Sequence, residues 1–243
     1  MKDYTRWNAY ISRDTSLYRN EATEVFAEFD ALSDYIFKSP RFLAAEEKIE
    51  KEKLDAYFPP DDLSETNQRY RARRAELEFG NIYLRFPIFQ RTSNLLIATS
   101  LFEHHLTKLM RLEADRASRN VRSGAGVVEA LTHIGDWSET FNQEEMLAPV
   151  QAIIKIRNRL VHSGGRLSDG AKCREARQII AEKTYASPWH REHWAENFPE
   201  LQPISITSQS DGDWIRLSEN FPHLVCGYFR ELHFGACVAL DPL

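Results

Sequence analysis

Stretches of apolar residues spaced three and four apart, interrupted by proline- and glycine-rich breaks, predict a mainly α-helical protein. From Asn20 to about Phe37 the positions Val25, Phe26, Phe29, Leu32, Ile36 and Phe37 share one helical face, and Pro40 is expected to stop that helix. A second helix is predicted from Arg41 to Tyr57. Pro59-Pro60-Asp61-Asp62 then breaks the chain before a third, arginine-rich helix that ends near Phe79. Pro87 suits the start of the next helix, Ile88 to about Ala114, whose NLLIATSLFEHHLTKLM segment is the most apolar helical stretch.

RSGAG at 122–126 marks a loop, and VVEALTHIGDW reads as a short helix. Another helix is expected from about Gln143 to Val161, with Pro149 as a kink or in its first turn. Gly164 and Gly165 end it by supplying positive φ. After that the period changes to two: PISIT and DWIRL alternate apolar with polar residues around Asp211-Gly212, the signature of a β-hairpin. A last helix is predicted from Ser218 to Leu240. The expected organisation is an N-terminal helical extension over 1–80 and a helical bundle over 81–243, with the hairpin near 203–217 lying against helices.

Composition narrows the picture. Apolar residues are 42% and charged residues 28%, the balance of a folded globular chain. No apolar run near the start has the length of a secretory signal and none later reaches a membrane span, so a cytoplasmic location without membrane partners is expected. Cys173, Cys226 and Cys237 are too scattered for a disulfide framework or a cysteine zinc site. The net charge of −5 argues against a broad grip on nucleic acid, though not against a small local site. Arginines cluster in RYRARR at 69–74 and at Arg111, Arg116, Arg119 and Arg122. Both clusters are interleaved with Glu or Ala and read best as solvated faces. His190 and His193 have metal-compatible spacing but no third ligand, and their neighbours Trp189 and Trp194 suggest a packing patch. Gly124-Ala125-Gly126 lacks the strand and third glycine of a dinucleotide fingerprint.

The chemistry concentrates in IRNRLVHSGG. On a helical wheel, Val150, Ile153, Ile154, Ile156, Leu160 and Val161 fill an arc of roughly 160°, and Arg157 falls inside it. An inward guanidinium needs a carboxylate or a cleft. Glu103, in the sector bracketed by Leu96 and Met110, is the expected partner, through a bidentate ion pair. Asn158 and His162 share a helix face next to Arg157. Together they combine a permanent cation, a hydrogen-bonding orienter and a group that titrates near neutrality, a kit for phosphoryl transfer without metal. His104 and His105 adjoin Glu103 and diverge by about 100°, so at most one faces the same cleft, and His105 is assigned to the core or an interface.

Arg157-Asn158 followed by three residues and His162 resembles the signature of the HEPN superfamily, and Glu103 looks like the acidic position on that family's preceding long helix. The resemblance covers about 85–240 and leaves the N-terminal extension unexplained. It implies an up-and-down helical bundle, commonly a homodimer whose two motifs share a cleft. It also implies a metal-independent, cofactor-free endoribonuclease of toxin–antitoxin or antiviral defence systems, with RNA as substrate and an antitoxin or defence-system protein as a further partner. By that resemblance His162 is the general acid or base, Arg157 stabilises the phosphorane, Asn158 orients, and Glu103 holds Arg157. The alternative within the same resemblance is a catalytically silent module that dimerises and binds nucleotide, RNA or a protein partner.

Overall fold

The computed structural model describes residues 16–117, 126–138, 141, 145–168, 170–197 and 202–241. Its first helix, α1 (Leu17–Tyr57), starts where the Ser16 hydroxyl accepts the Arg19 N–H at 3.1 Å. Pro40 does not end it. A proline removes the N–H that the carbonyl four residues back would accept. The Ser39 hydroxyl donates to that carbonyl, Ile36 O, at 2.8 Å, and the helix runs on for 41 residues. The two predicted helices are therefore one rod of about 60 Å.

The return limb is also nearly continuous. α2 (Glu65–Gly80) begins at Ser64, whose hydroxyl accepts the Asn67 N–H at 3.3 Å, while the Asn67 side chain ties down Pro59 O and Asp62 O at 2.9 and 2.8 Å. A π turn (Asn81–Arg85) then leads directly into α3 (Phe86–Ala117). The chain thus passes Pro87 without the break expected before it, the π turn taking up the change of register.

The two limbs stay antiparallel from end to end. Tyr18 donates to Glu113 at 2.5 Å, His105 meets Glu28 at 3.1 Å, and Gln90 donates to Ser39 O at 3.1 Å. Further out, Tyr83 donates to Glu47, and Arg71 donates to Asp55 at 2.5 Å. At the base, α8 (Phe221–Leu240) lies against both limbs, with Phe229 stacked on Phe102 at 4.3 Å and edge-on to Phe29 at 6.2 Å. The boundary expected at residue 80 does not separate two cores: Tyr18, Ala22, Val25, Phe29 and Ile36 belong to the same buried cluster as Phe102, Leu106 and Phe229. Only the outer part of the hairpin, beyond about Pro40 on one limb and Pro87 on the other, stands clear of α8.

α4 (Val127–Trp137) and α5 (Leu147–Ser163) complete the bundle around Leu131, Ile134, Val150 and Ile153. Pro149 sits in the first turn of α5, and the loop expected at 122–126 lies, apart from Gly126, outside the described residues. Gly164 and Gly165, at φ +59° and +86°, close α5, with the Gly165 N–H reaching back to Arg159 O. A side chain on Gly165 would also meet Leu160 Cδ2 at 3.0 Å. That sharp exit feeds β1 (Arg166–Leu167), which pairs antiparallel with β3 (Gly212–Leu217), itself paired with β2 (Ile204–Gln209). The predicted hairpin is present and carries a third, unpredicted strand. α6 (Ala171–Glu182) and α7 (Pro188–Asn197) link β1 to β2. No helix among the described residues is long and apolar enough to cross a membrane.

Candidate functional site

Arg157, Asn158 and His162 all lie on the second half of α5, which is held at its middle by buried Ile153, Ile154, Ile156 and Leu160. Val161, placed in the apolar arc by its spacing, is exposed, because it lies at the edge of that arc, turned away from buried Leu160. The Arg157 guanidinium is half-buried and donates from Nη1 to Asn158 Oδ1 at 3.0 Å. Its Nε is buried and has no hydrogen-bond partner among the described residues. His162 is exposed, one turn beyond Asn158 and just before the glycine exit.

Glu103 does not complete this cluster. No ion pair or hydrogen bond joins it to Arg157 among the described residues. It lines instead an open groove of about 580 Å³ along α3, with Ser100, His104, Thr107, Lys108 and Arg111. The reason is rotational: the inward face of α3 is occupied by Leu95, Ala98, Phe102, His105, Leu106 and Leu109, which leaves Glu103 at its border. His104 is exposed and His105 fully buried, so the two diverge as their adjacency requires. The structure brings Arg157 and Asn158 together, places His162 beside them on the open end of α5, and leaves Glu103 apart.

A second polar centre, not singled out from the sequence, sits in the base of the bundle. Glu21 receives His105 Nδ1 at 2.7 Å and Lys108 Nζ at 2.5 Å, and His105 Nε2 faces Glu28. His233 Nε2 lies 3.8 Å from Glu21, and His233 Nδ1 is 3.5 Å from Cys237 Sγ. Burial opposes charge on His105, but hydrogen bonds to Glu21 and Glu28 outweigh it and hold the imidazole above its ordinary value. Burial likewise opposes charge on Glu21, yet His105 and Lys108 keep its carboxyl below the usual range. His233 has no such hydrogen-bonded carboxylate, and burial drives it down to about 4. Glu21 on the buried face of α1 was detectable by the wheel test that exposes Arg157. This centre ties α1 to α3, with His105 and Glu21 buried and Lys108 reaching the groove that Glu103 lines.

Three of the six described arginines in the two clusters are engaged within the chain, and Arg69, Arg73 and Arg111 are exposed. Arg71 bonds Asp55 and Phe58 O, Arg74 pairs with Glu78 at 2.7 Å, and Arg116 pairs with Glu113 at 2.9 Å. Arg119 and Arg122 lie outside the described residues. His190 bonds Ser187 and Tyr228, and His193 stacks on Trp189 at 4.9 Å. No group of three or more metal-ligating side chains is arranged to hold an ion among the described residues. Comparison with protein-family models, with curated proteins and with solved structures returns no match.

Proposed function

We propose that the chain is a metal-independent endoribonuclease of the HEPN type, with Arg157, Asn158 and His162 as its working residues. The observation that carries this reading is the state of Arg157, a half-buried cation whose Nε has no partner among the described residues and whose one bonded neighbour there is the neutral amide of Asn158. A guanidinium withdrawn from water without a carboxylate is suited to an external anion, and its fork geometry matches a phosphate.

In this reading the RNA 2′-hydroxyl attacks the adjacent phosphorus, the P–O5′ bond breaks, and a 2′,3′-cyclic phosphate and a 5′-hydroxyl remain. The proton leaves the 2′-oxygen for one histidine and the departing 5′-oxygen takes a proton from another. Each chain supplies one His162, so a homodimer that apposes two α5 ends furnishes both. Arg157 faces the charge that builds on the phosphorane oxygens, and Asn158 fixes the guanidinium. Cytoplasmic action in a toxin or antiviral defence setting, with an antitoxin or similar partner, follows from the resemblance. The displacement of Glu103 favours a second reading, a silent module that binds nucleotide, RNA or protein without cutting.

Incubating purified wild type, Arg157→Ala and His162→Ala with total RNA in EDTA separates the two. The enzymatic reading expects cleavage by wild type, with rates lower by about 10²-fold or more in both variants. Uncut RNA with all three folded proteins leaves the silent module.

A further inference from the structure

We infer that the outer part of the helical hairpin is a self-association surface, on which a second copy of the chain docks to make an antiparallel four-helix bundle. The inference stands apart from the reading of Arg157 and His162, since it holds for an active or a silent chain. Tyr35, Phe42 and Ile49 recur every seventh residue along α1 and are 46%, 56% and 44% exposed. The rings of Tyr35 and Phe42 are 6.2 Å apart, so the first two members of the stripe are neighbours along the rod. On the return limb Tyr70 and Leu77 repeat the same interval at 56% and 54% exposure, with exposed Leu63 just before α2 and exposed Leu84 in the π turn that follows it.

The stripes fall on one side of the hairpin. On α1, Tyr35 precedes Ile36, which is buried, and Ile49 precedes Glu50, which lines the inter-helix groove together with Leu54 and Arg74. On α2, Tyr70 precedes Arg71, bonded across to Asp55, and Leu77 precedes Glu78 in the same groove. In antiparallel helices the residues preceding two facing positions rotate to the same side, so the stripes merge into one apolar face.

A strict seven-residue repeat drifts by about 20° per heptad on a straight helix and keeps its line only when helices wind about each other. Its natural complement is a seam of the same period, and this arm carries one. Charge points to the same occupant. Residues 41–57 hold five carboxylates and four cations, and residues 65–80 hold three and four, so α1 of one copy meets the opposite balance on α2 of another. With eight carboxylates against eight cations, the two segments carry no net charge to draw a polyanion. Two helices side by side over about 25 Å cover on the order of 500 Å² per copy, about 1,000 Å² in total, the lower bound of a specific interface.

Sedimentation equilibrium on the full chain from about 1 to 100 μM tests this for wild type, Phe42→Glu, Leu77→Glu, the milder Leu77→Ser, and His162→Ala. Wild type and His162→Ala are expected to dimerise alike, while each glutamate variant weakens dimerisation by about tenfold or more with unchanged circular dichroism. If glutamate disturbs the fold, Leu77→Ser decides, with a smaller weakening expected. Wild type that stays monomeric at 100 μM, including a monomer that instead binds anionic vesicles or RNA through this face, overturns the inference. So does a dimer that is indifferent to the arm variants.

Discussion

The inner and outer halves of one helical hairpin meet opposite fates. At the base, α1 and α3 are joined by α8, and Val25, Phe29, Ala98, Phe102 and Phe229 are completely or almost completely buried. Further out the same two limbs have no third layer among the described residues, and between Pro40 and Pro87 only Leu54 and Ile82 of the large apolar side chains become buried. Two helices alone shield only the strip between them. The apolar residues left over therefore define a surface, and the comparison separates residues that hold the fold from residues that hold a partner.

The largest effect that sharpens this contrast should come from Phe102→Ala, which removes a ring stacked in the three-helix core and is expected to cost about 3–5 kcal/mol in urea unfolding. Next comes the acid limb of stability. The folded-state pKa of His233 lies near 4, below its ordinary value, so between about pH 6.5 and 4 the unfolded chain binds a proton that the folded chain refuses. Stability should fall through that window by about 3 kcal/mol, and His233→Leu should flatten the limb. Glu21, whose pKa is lowered, adds a loss only further into acid, whereas the raised His105 contributes fully below its unfolded value and loses its contribution as pH climbs above it.

In the outer half the expected costs shrink. Leu54→Ala should cost about 2 kcal/mol, near the low end for a buried leucine, because its surroundings are free to collapse. Leu77→Ser should change monomer stability by less than about 0.5 kcal/mol while weakening association. A loss above 2 kcal/mol at Leu77 would break the comparison, since it would make the outer face part of the fold.

Much of this architecture was legible from spacing. The helical class, the α4 segment, the glycine exit of α5 and the hairpin around Asp211-Gly212 are all present as read. The proline rules misled at Pro40 and Pro87, where local bonding supplies what proline removes: the Ser39 hydroxyl at one, a π turn before the other. α6 escaped notice because its buried face is short, with Cys173 and Ala176 both small and Ile179 its one large apolar residue. β1 is too short to show a period. At the candidate site, the adjacency of Arg157 and Asn158 was readable because it is local to one helix. The expected Arg157–Glu103 pair is absent among the described residues, because it depends on how α3 rotates against α5, and that rotation is set by whole apolar faces and not by either charged residue.

The central claim is that Arg157, Asn158 and His162 direct the 2′-hydroxyl of RNA onto its own phosphate. It is tested most directly by mapping the ends that the wild-type protein leaves in EDTA on an RNA it cuts, and on the same RNA carrying a 2′-O-methyl group at the cut position. The account expects 2′,3′-cyclic phosphate and 5′-hydroxyl ends on the first and no cleavage at that position on the second. Cleavage of the methylated RNA there, or 5′-phosphate ends on either, would contradict it.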